Sequence, residues 1–172
     1  MVSLMNWVEK FYIEDCIQEN DMKTSRIYPP WWETELTIFN KYEDKQTQII
    51  SWYKTIVTGC FWKYTGNQIK VGDVELKTNT TICRIPKDDR FRERYIWETL
   101  PNDQMGNYFT LSPGDIIIKG EVDDVVDEYT KGHRSSDLIA KYKRLQGCIE
   151  IQSWADNTGI GRNDKHYYVT GE

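Results

Sequence analysis

Residues 114–128, GDIIIKGEVDDVVDE, place five carboxylates within eight positions: Glu121, Asp123, Asp124, Asp127 and Glu128. Clustered acids can hold a hard cation such as calcium, or act as the paired carboxyls of glycoside hydrolysis. A helix–loop–helix calcium loop needs oxygen ligands at regular positions, a central glycine and a closing bidentate glutamate. EVDDVVDEYTKG puts Val125 and Val126 where that glycine belongs. Glycosidase chemistry needs a cleft and an elevated carboxyl pKa, and a charge run by itself supplies neither. The run is therefore read as the wet exit of a strand built on Ile116, Ile117 and Ile118, with acids that also discourage edge-to-edge pairing.

The other reactive residue types fare no better. His133 and His166 are the only histidines, and no HxH or HExxH spacing exists to make a zinc site. Ser135 and Ser136 stand at the start of a helical pattern without a GxSxG elbow, so they read as a helix cap. NTGIGRND contains a G-x-G, but it lies between two strand patterns and opens no helix, which makes it a hairpin loop. KDDRFRER balances its acids and bases, whereas a nucleic-acid groove needs a basic excess. No catalytic residue, metal or cofactor is expected.

The bulk numbers agree with a structural or binding role. At 172 residues the chain suits one domain with an appendage, large enough for a core without disulfides. Seven Trp and eleven Tyr lean the composition towards β structure, because rings pack well on pleated surfaces. A net charge of −5 argues against general affinity for DNA or anionic membrane. Cys16, Cys60, Cys83 and Cys148 lack CxxC spacing and read as small buried hydrophobes in a reducing compartment. No secretory leader and no membrane span is expected, so the chain reads as soluble and made in the cytosol.

These residues must be positioned by elements that the periodicity predicts. Leu4, Trp7, Val8, Phe11 and Cys16 fall near helical spacing, giving an N-terminal helical extension over 1–21. Residues 22–33 contain RIYPPWW, an extended Pro/Trp linker in which two prolines stop any helix. From residue 34 the period changes to two. ETELTIFNKYED is one strand, and QIISWYKTIVTGCFWKYT is a strand pair or a single strand bent at Gly59. NQIKVGDVELKTNTTICRIP reads as two more strands with turns at Gly72-Asp73 and Thr78-Asn79. Residues 87–112 form a long, polar, turn-rich loop, a length that is usually functional or disordered. PGDIIIKG is a strand, SSDLIAKYKRLQG a short helix burying Leu138, Ile139 and Tyr142, and CIEIQSWAD and KHYYVTG a closing hairpin. The fold class is mainly β: a small barrel or sandwich over 34–172 with one inserted short helix and the N-terminal helix.

The combination of TELTIFNKYED, ISWYKTIVTGCFWK, GDIIIKGEVDD, SSDLIAKYKR, CIEIQSWADNTG and KHYYVTG resembles the head-closure proteins of tailed bacteriophages. These are often labelled minor capsid proteins in phages of Gram-positive bacteria, and the likeness covers roughly residues 33–172. It implies a β-barrel with a helix, assembling with itself into a ring of six or twelve copies between portal or adaptor proteins and the tail-terminator or tail tube. Such a ring closes the channel on packaged DNA, touched in passing without sequence specificity, and receives the tail. It would be made in the host cytoplasm and end in the virion neck. The N-terminal helix with RIYPPWW and the 87–112 segment depart from shorter members.

Within that resemblance, Lys87, Asp88, Asp89, Arg90, Arg92, Glu93 and Arg94 are the candidate lumen or inter-subunit loop. The acids 121–128 become a channel or subunit surface, since a wall that repels phosphate does not grip moving DNA. Tyr28, Trp31 and Trp32 are candidate partner-docking aromatics. A neck adaptor or tail-terminator ring is the near alternative. A carbohydrate-binding sandwich is the other, in which Trp31, Trp32, Trp62, Trp97 and Trp154 would stack on sugar rings.

Overall fold

A computed structural model of the chain describes residues 28–71, 74–145, 147–159 and 165–172, with backbone alone for 67–71 and 74–79. The expected N-terminal helix, the Gly72-Asp73 turn and the tip of NTGIGRND lie outside the described residues. Six strands form a closed antiparallel barrel: β1 (Thr34–Glu43), β2 (Ile50–Val71), β3 (Val74–Pro86), β4 (Ile116–Lys119), β5 (Cys148–Asp156) and β6 (His166–Gly171). Around the barrel the order is β1-β2-β3-β6-β5-β4, with β4 closing onto β1. Among the described residues three short helices interrupt it: α1 (Arg94–Trp97), α2 (Asn102–Met105) and α3 (Ser135–Lys143).

Alternation decides which side chains enter the barrel. Leu36 and Ile38 from β1, Val57 and Cys60 from β2, Cys83 and Ile85 from β3, and Ile149, Ile151, Tyr167 and Val169 from the closing hairpin share one buried cluster. Ile117 joins them from β4, while its neighbours Ile116 and Ile118 point out of the barrel. They meet Phe39, Val122, Val126, Leu138 and Cys148 in a second core roofed by α3. This explains the unbroken isoleucine run: a strand covered on both faces has no wet side to make polar.

QIISWYKTIVTGCFWKYT proves to be a single strand. Two residues of β2, Thr58 and Gly59, oppose the single Glu35 of β1, and Gly59 takes φ +70° at this bulge. The strand also runs further than expected. Thr78 pairs with Asn67 and Asn79 with Gly66, so the turn expected at Thr78-Asn79 is instead the middle of β3. Cross-strand pairing outweighs the local turn preference of Asn. From Thr65↔Thr80 to Val71↔Val74 the β2–β3 ribbon pairs with no third described strand. That two-stranded stretch is roughly 20 Å long at 3.4 Å per residue.

Residues 87–112 also differ from the expected irregular loop. Trp97, Met105, Phe109 and Leu111 are fully buried, and Phe109 and Leu111 complete the barrel core. The Trp97 indole donates to the carbonyls of Met105 and Tyr108 at 3.2 and 3.3 Å, and its ring meets Tyr42 and Tyr53 edge-on. The apolar residues of this segment are too widely spaced to announce an element, yet each fills a slot that the strands leave. The cap of α3 is corrected as well: Arg134 is its N-cap residue, and the Asp137 carboxylate accepts from the Gly132 and Arg134 N–H groups at 3.0 and 3.3 Å. Ser135 already lies inside the helix.

Candidate functional site

The acidic run is a fastened strap. Thr37 begins it, donating its hydroxyl to the Gly120 carbonyl at 2.7 Å and accepting from the Val122 N–H at 3.2 Å. Val122 and Val126 then drop into the second core. Between them Asp124 accepts from Lys141 Nζ at 2.7 Å and Tyr142 OH at 2.5 Å, tying the strap to α3. The Lys141 hydrogen bond, with help from Tyr142, holds the Asp124 carboxyl below the usual range. Asp127 closes its own turn through the Tyr129 N–H and the Thr130 hydroxyl, and Glu128 accepts from the Trp52 indole at 2.9 Å. Glu121 and Asp123 are exposed. Three of the five acids therefore face partners within the chain, and among the described residues no group of three His, Cys, Asp or Glu could hold a metal ion.

A measurable contrast follows. Asp124→Ala removes two charge-assisted bonds from a partly open site and is expected to cost about 1 kcal/mol. Asp123→Ala, fully on the surface, should stay within about 0.5 kcal/mol. Urea denaturation of both variants measures the difference, and equal costs would show that the strap is not fastened through Asp124.

The 87–94 charges are likewise paired locally. Asp88 and Arg90 form a fork, with Nη2 to Oδ2 at 2.7 Å and Nε to both oxygens near 3.1–3.2 Å. Burial raises the Asp88 carboxyl, but the bonds and charge of Arg90 outweigh it and hold it below the ordinary value. Arg92 donates to the Asp89 and Phe91 carbonyls and lies over the Tyr108 ring. Arg94 donates to Glu98 and to the Lys41 carbonyl, both at 2.6 Å. Lys87, Asp89 and Glu93 remain exposed. This candidate loop thus presents a charged edge, while its one aromatic, Phe91, packs against the barrel core.

Of the three candidate docking aromatics, two are packed on the barrel. Tyr28 stacks on Trp32 at 5.2 Å, and its hydroxyl joins the Lys165 carbonyl to the Lys87 N–H. Trp32 packs edge-on against His166 and near Phe61, leaving 6% of it exposed. Trp31, 68% exposed, is the one of the three held open. Trp97 is wholly buried, and Trp62 and Trp154 are partly buried against the barrel core.

The sequence reading missed Asp115. Its carboxylate, 1% exposed, sits at the end of a Ser112–Asp115 turn with Pro113 second and Gly114 at φ +91° third, the type II pattern. Oδ1 accepts from the Lys41 N–H at 2.9 Å with Arg94 Nη1 at 3.5 Å; Oδ2 accepts from Asn40 Nδ2 at 2.9 Å and the Ser112 N–H at 3.0 Å. Asn40, also buried, spans to the Thr110 carbonyl and N–H. One carboxylate thereby joins β1, the approach to β4 and α1. The Pro-Gly-Asp sequence before an apolar strand was the available signal.

The three described thiols are shut away from chemistry. Cys60, Cys83 and Cys148 are buried and unbridged, and burial pushes the Cys148 thiol up to about 12 and the other two higher still. Among the described residues no helix is long and apolar enough to cross a membrane. No curated protein and no solved structure matches the chain. Residues 31–172, the whole barrel with its Trp31-Trp32 lead-in, match the family of unknown function DUF6751, and the chain belongs to that family.

Proposed function

We propose that the chain is a structural protein of a tailed-phage neck, forming a ring between portal or adaptor and tail that closes the DNA channel after packaging. The observation that carries this reading is architectural. The strand, acidic strap, Lys-rich helix and closing hairpin that resemble head-closure proteins lie in one closed barrel with α3 inserted between β4 and β5. Asp88, Asp115, Asp124, Asp127 and Glu128 are engaged in holding the fold, which suits an assembly role. The β2–β3 ribbon gives each copy of a ring an arm towards its neighbour or the lumen. It supplies reach, and the exposed charges of 87–94, beyond the opposite end of β3, supply a second contact surface. An adaptor or tail-terminator ring would use the same features with different neighbours.

Deleting the gene from the phage that encodes it tests the proposal. Electron microscopy should find heads that carry portals but lack tails, and quantified packaged DNA should fall. Normal, tailed, infectious particles would overturn it.

A further inference from the structure

Beside the Tyr28–Trp32 strap the barrel carries a half-open groove of about 450 Å³. Its walls are Tyr28, Pro29, Trp32 and Pro86, and its floor is the β2 bulge at Thr58 and Gly59. Its lining is largely apolar, with Glu33 at the rim, and its volume lies in the range that takes large side chains. A side chain at Gly59 would meet only Pro86 Cγ and the Trp32 carbonyl, each at 3.9 Å, so the floor is open. Trp31 stands exposed next to it in the chain.

Glu33 is the charged residue of the lining, and two cations stand beside the groove. Arg84 lies over the Phe61 ring at 5.5 Å, and its buried Nε has no hydrogen-bond partner. Lys63 is exposed two residues beyond Phe61, and the backbones of Lys87 and Lys165 are clasped by the Tyr28 hydroxyl.

We infer that this groove is the docking site for the chain's own N-terminal segment, residues 3–20. Residues 21–27 join that segment to Tyr28, one of the groove's own walls. Its sequence sets Leu4, Trp7, Val8 and Phe11 at the spacing of one helical stripe. It also carries Glu9, Glu14, Asp15 and Glu19 against a single cation, Lys10. The apolar stripe complements the apolar lining, and the acids on its flank can meet Lys63 and Arg84 beside the groove. Residues 21–27 span up to roughly 25 Å when extended, enough to fold back across the groove. Tethering also gives the segment an effective concentration on the order of millimolar, so the same chain outcompetes a second copy. This inference does not rest on the neck assignment.

The test places a photo-reactive p-benzoylphenylalanine at position 11 of the full chain and maps its adducts by mass spectrometry. The expected result is an intrachain adduct on the peptides bearing Thr58–Lys63 or Arg84–Lys87. Thr58→Trp, which fills the groove from an exposed position, should reduce it at least fivefold with the circular dichroism of the barrel unchanged. Lys63→Glu, a surface charge reversal, should reduce it severalfold and keeps the test valid if the bulkier variant does not fold. Adducts scattered elsewhere, adducts between chains, no adduct at all, or an adduct indifferent to both substitutions would each overturn the inference.

Discussion

Asp115→Ala is expected to lower the stability of the barrel by about 3 kcal/mol, a fall in melting temperature of roughly 10 °C for a chain of this size. The carboxylate serves three N–H donors within 3.0 Å and stands 3.5 Å from the Arg94 guanidinium. Alanine serves none of them. The Lys41 and Ser112 amides and Asn40 would lose their partner in a site almost closed to water, and each buried donor left unpaired costs about 1–3 kcal/mol. Asp115→Asn keeps the shape but turns an NH2 towards whichever donors meet it. Asn40 cannot rotate to help, since its own oxygen accepts from the Thr110 N–H. The amide should therefore cost about 1–2 kcal/mol. If thermal melts place the alanine variant within 1 kcal/mol of the parent, the network is not what joins β1 to α1.

The same residue sets a pH dependence. Burial pushes the Asp115 carboxyl up to about 6, against the Lys41 amide, Arg94 and Asn40, which pull it down. In the unfolded chain it titrates near 3.9. Between those values the folded state holds a proton that the unfolded chain has released, so this group makes stability fall as pH rises through the window. Relative to the unfolded chain, folding with Asp115 ionised costs on the order of 3 kcal/mol more than folding with it protonated, and most of that difference is expressed by pH 7. No contradiction with the alanine result arises, because both protonation states still accept hydrogen bonds and alanine accepts none. Asp124 has the opposite sign: its depressed carboxyl contributes above its unfolded pKa and loses that contribution as pH falls. Comparing parent and Asp115→Asn between pH 4 and 7 isolates the buried group. The asparagine variant should lose the downward slope, and an unchanged slope would place the titration elsewhere.

Most of the strands were legible because a half-buried strand repeats every two residues. CIEIQSWAD alternates in burial largely as its letters alternate, and the burial of HYYVTG alternates without exception. α3 was legible from Leu138, Ile139 and Tyr142, which share one face of a helix. Closure into a barrel was not. It depends on the four residues of β4 finding β1 and β5, and Ile117 meets Ile38 across a long stretch of sequence that no local window contains. The long β3 was obscured because Asn and Thr at 78–79 favour turns locally, whereas the facing β2 backbone makes them strand. The acidic strap was read rightly as a strand exit, but its fastening to Lys141 and Trp52 required the tertiary fold. Asp115 was hidden for the opposite reason: a lone carboxylate after Pro-Gly looks like any surface turn until four donors converge on it.

Gly171→Ala carries the second large effect, through sterics alone. Gly171 lies where β6 is held on both sides, paired with Thr81 of β3 and Ile151 of β5, next to the register shift between Ile151 and Ser153. A methyl group there would stand 2.2 Å from the Glu150 carbonyl oxygen and 3.1 Å from Ile149 Cβ. Neither obstacle is the free end of a flexible side chain. The oxygen belongs to backbone whose own N–H donates to the Glu172 carbonyl at 3.1 Å, so relief means parting β5 from β6 and opening the barrel seam. Overpacking of this kind costs about 1–3 kcal/mol, and the backbone location places this case at the upper end. Gly106→Ala is the matched control, since nothing lies within 4 Å of its added methyl and its φ is −70°. Alanine there should be neutral or stabilising by about 0.5 kcal/mol, because it restricts only the unfolded chain. Urea titrations of the two variants should move in opposite directions, with the loss for Gly171→Ala accompanied by faster amide exchange along β5 and β6. If both behave alike, the seam between these strands is loose enough to admit a side chain, and the barrel is open where its hydrogen bonds draw it closed.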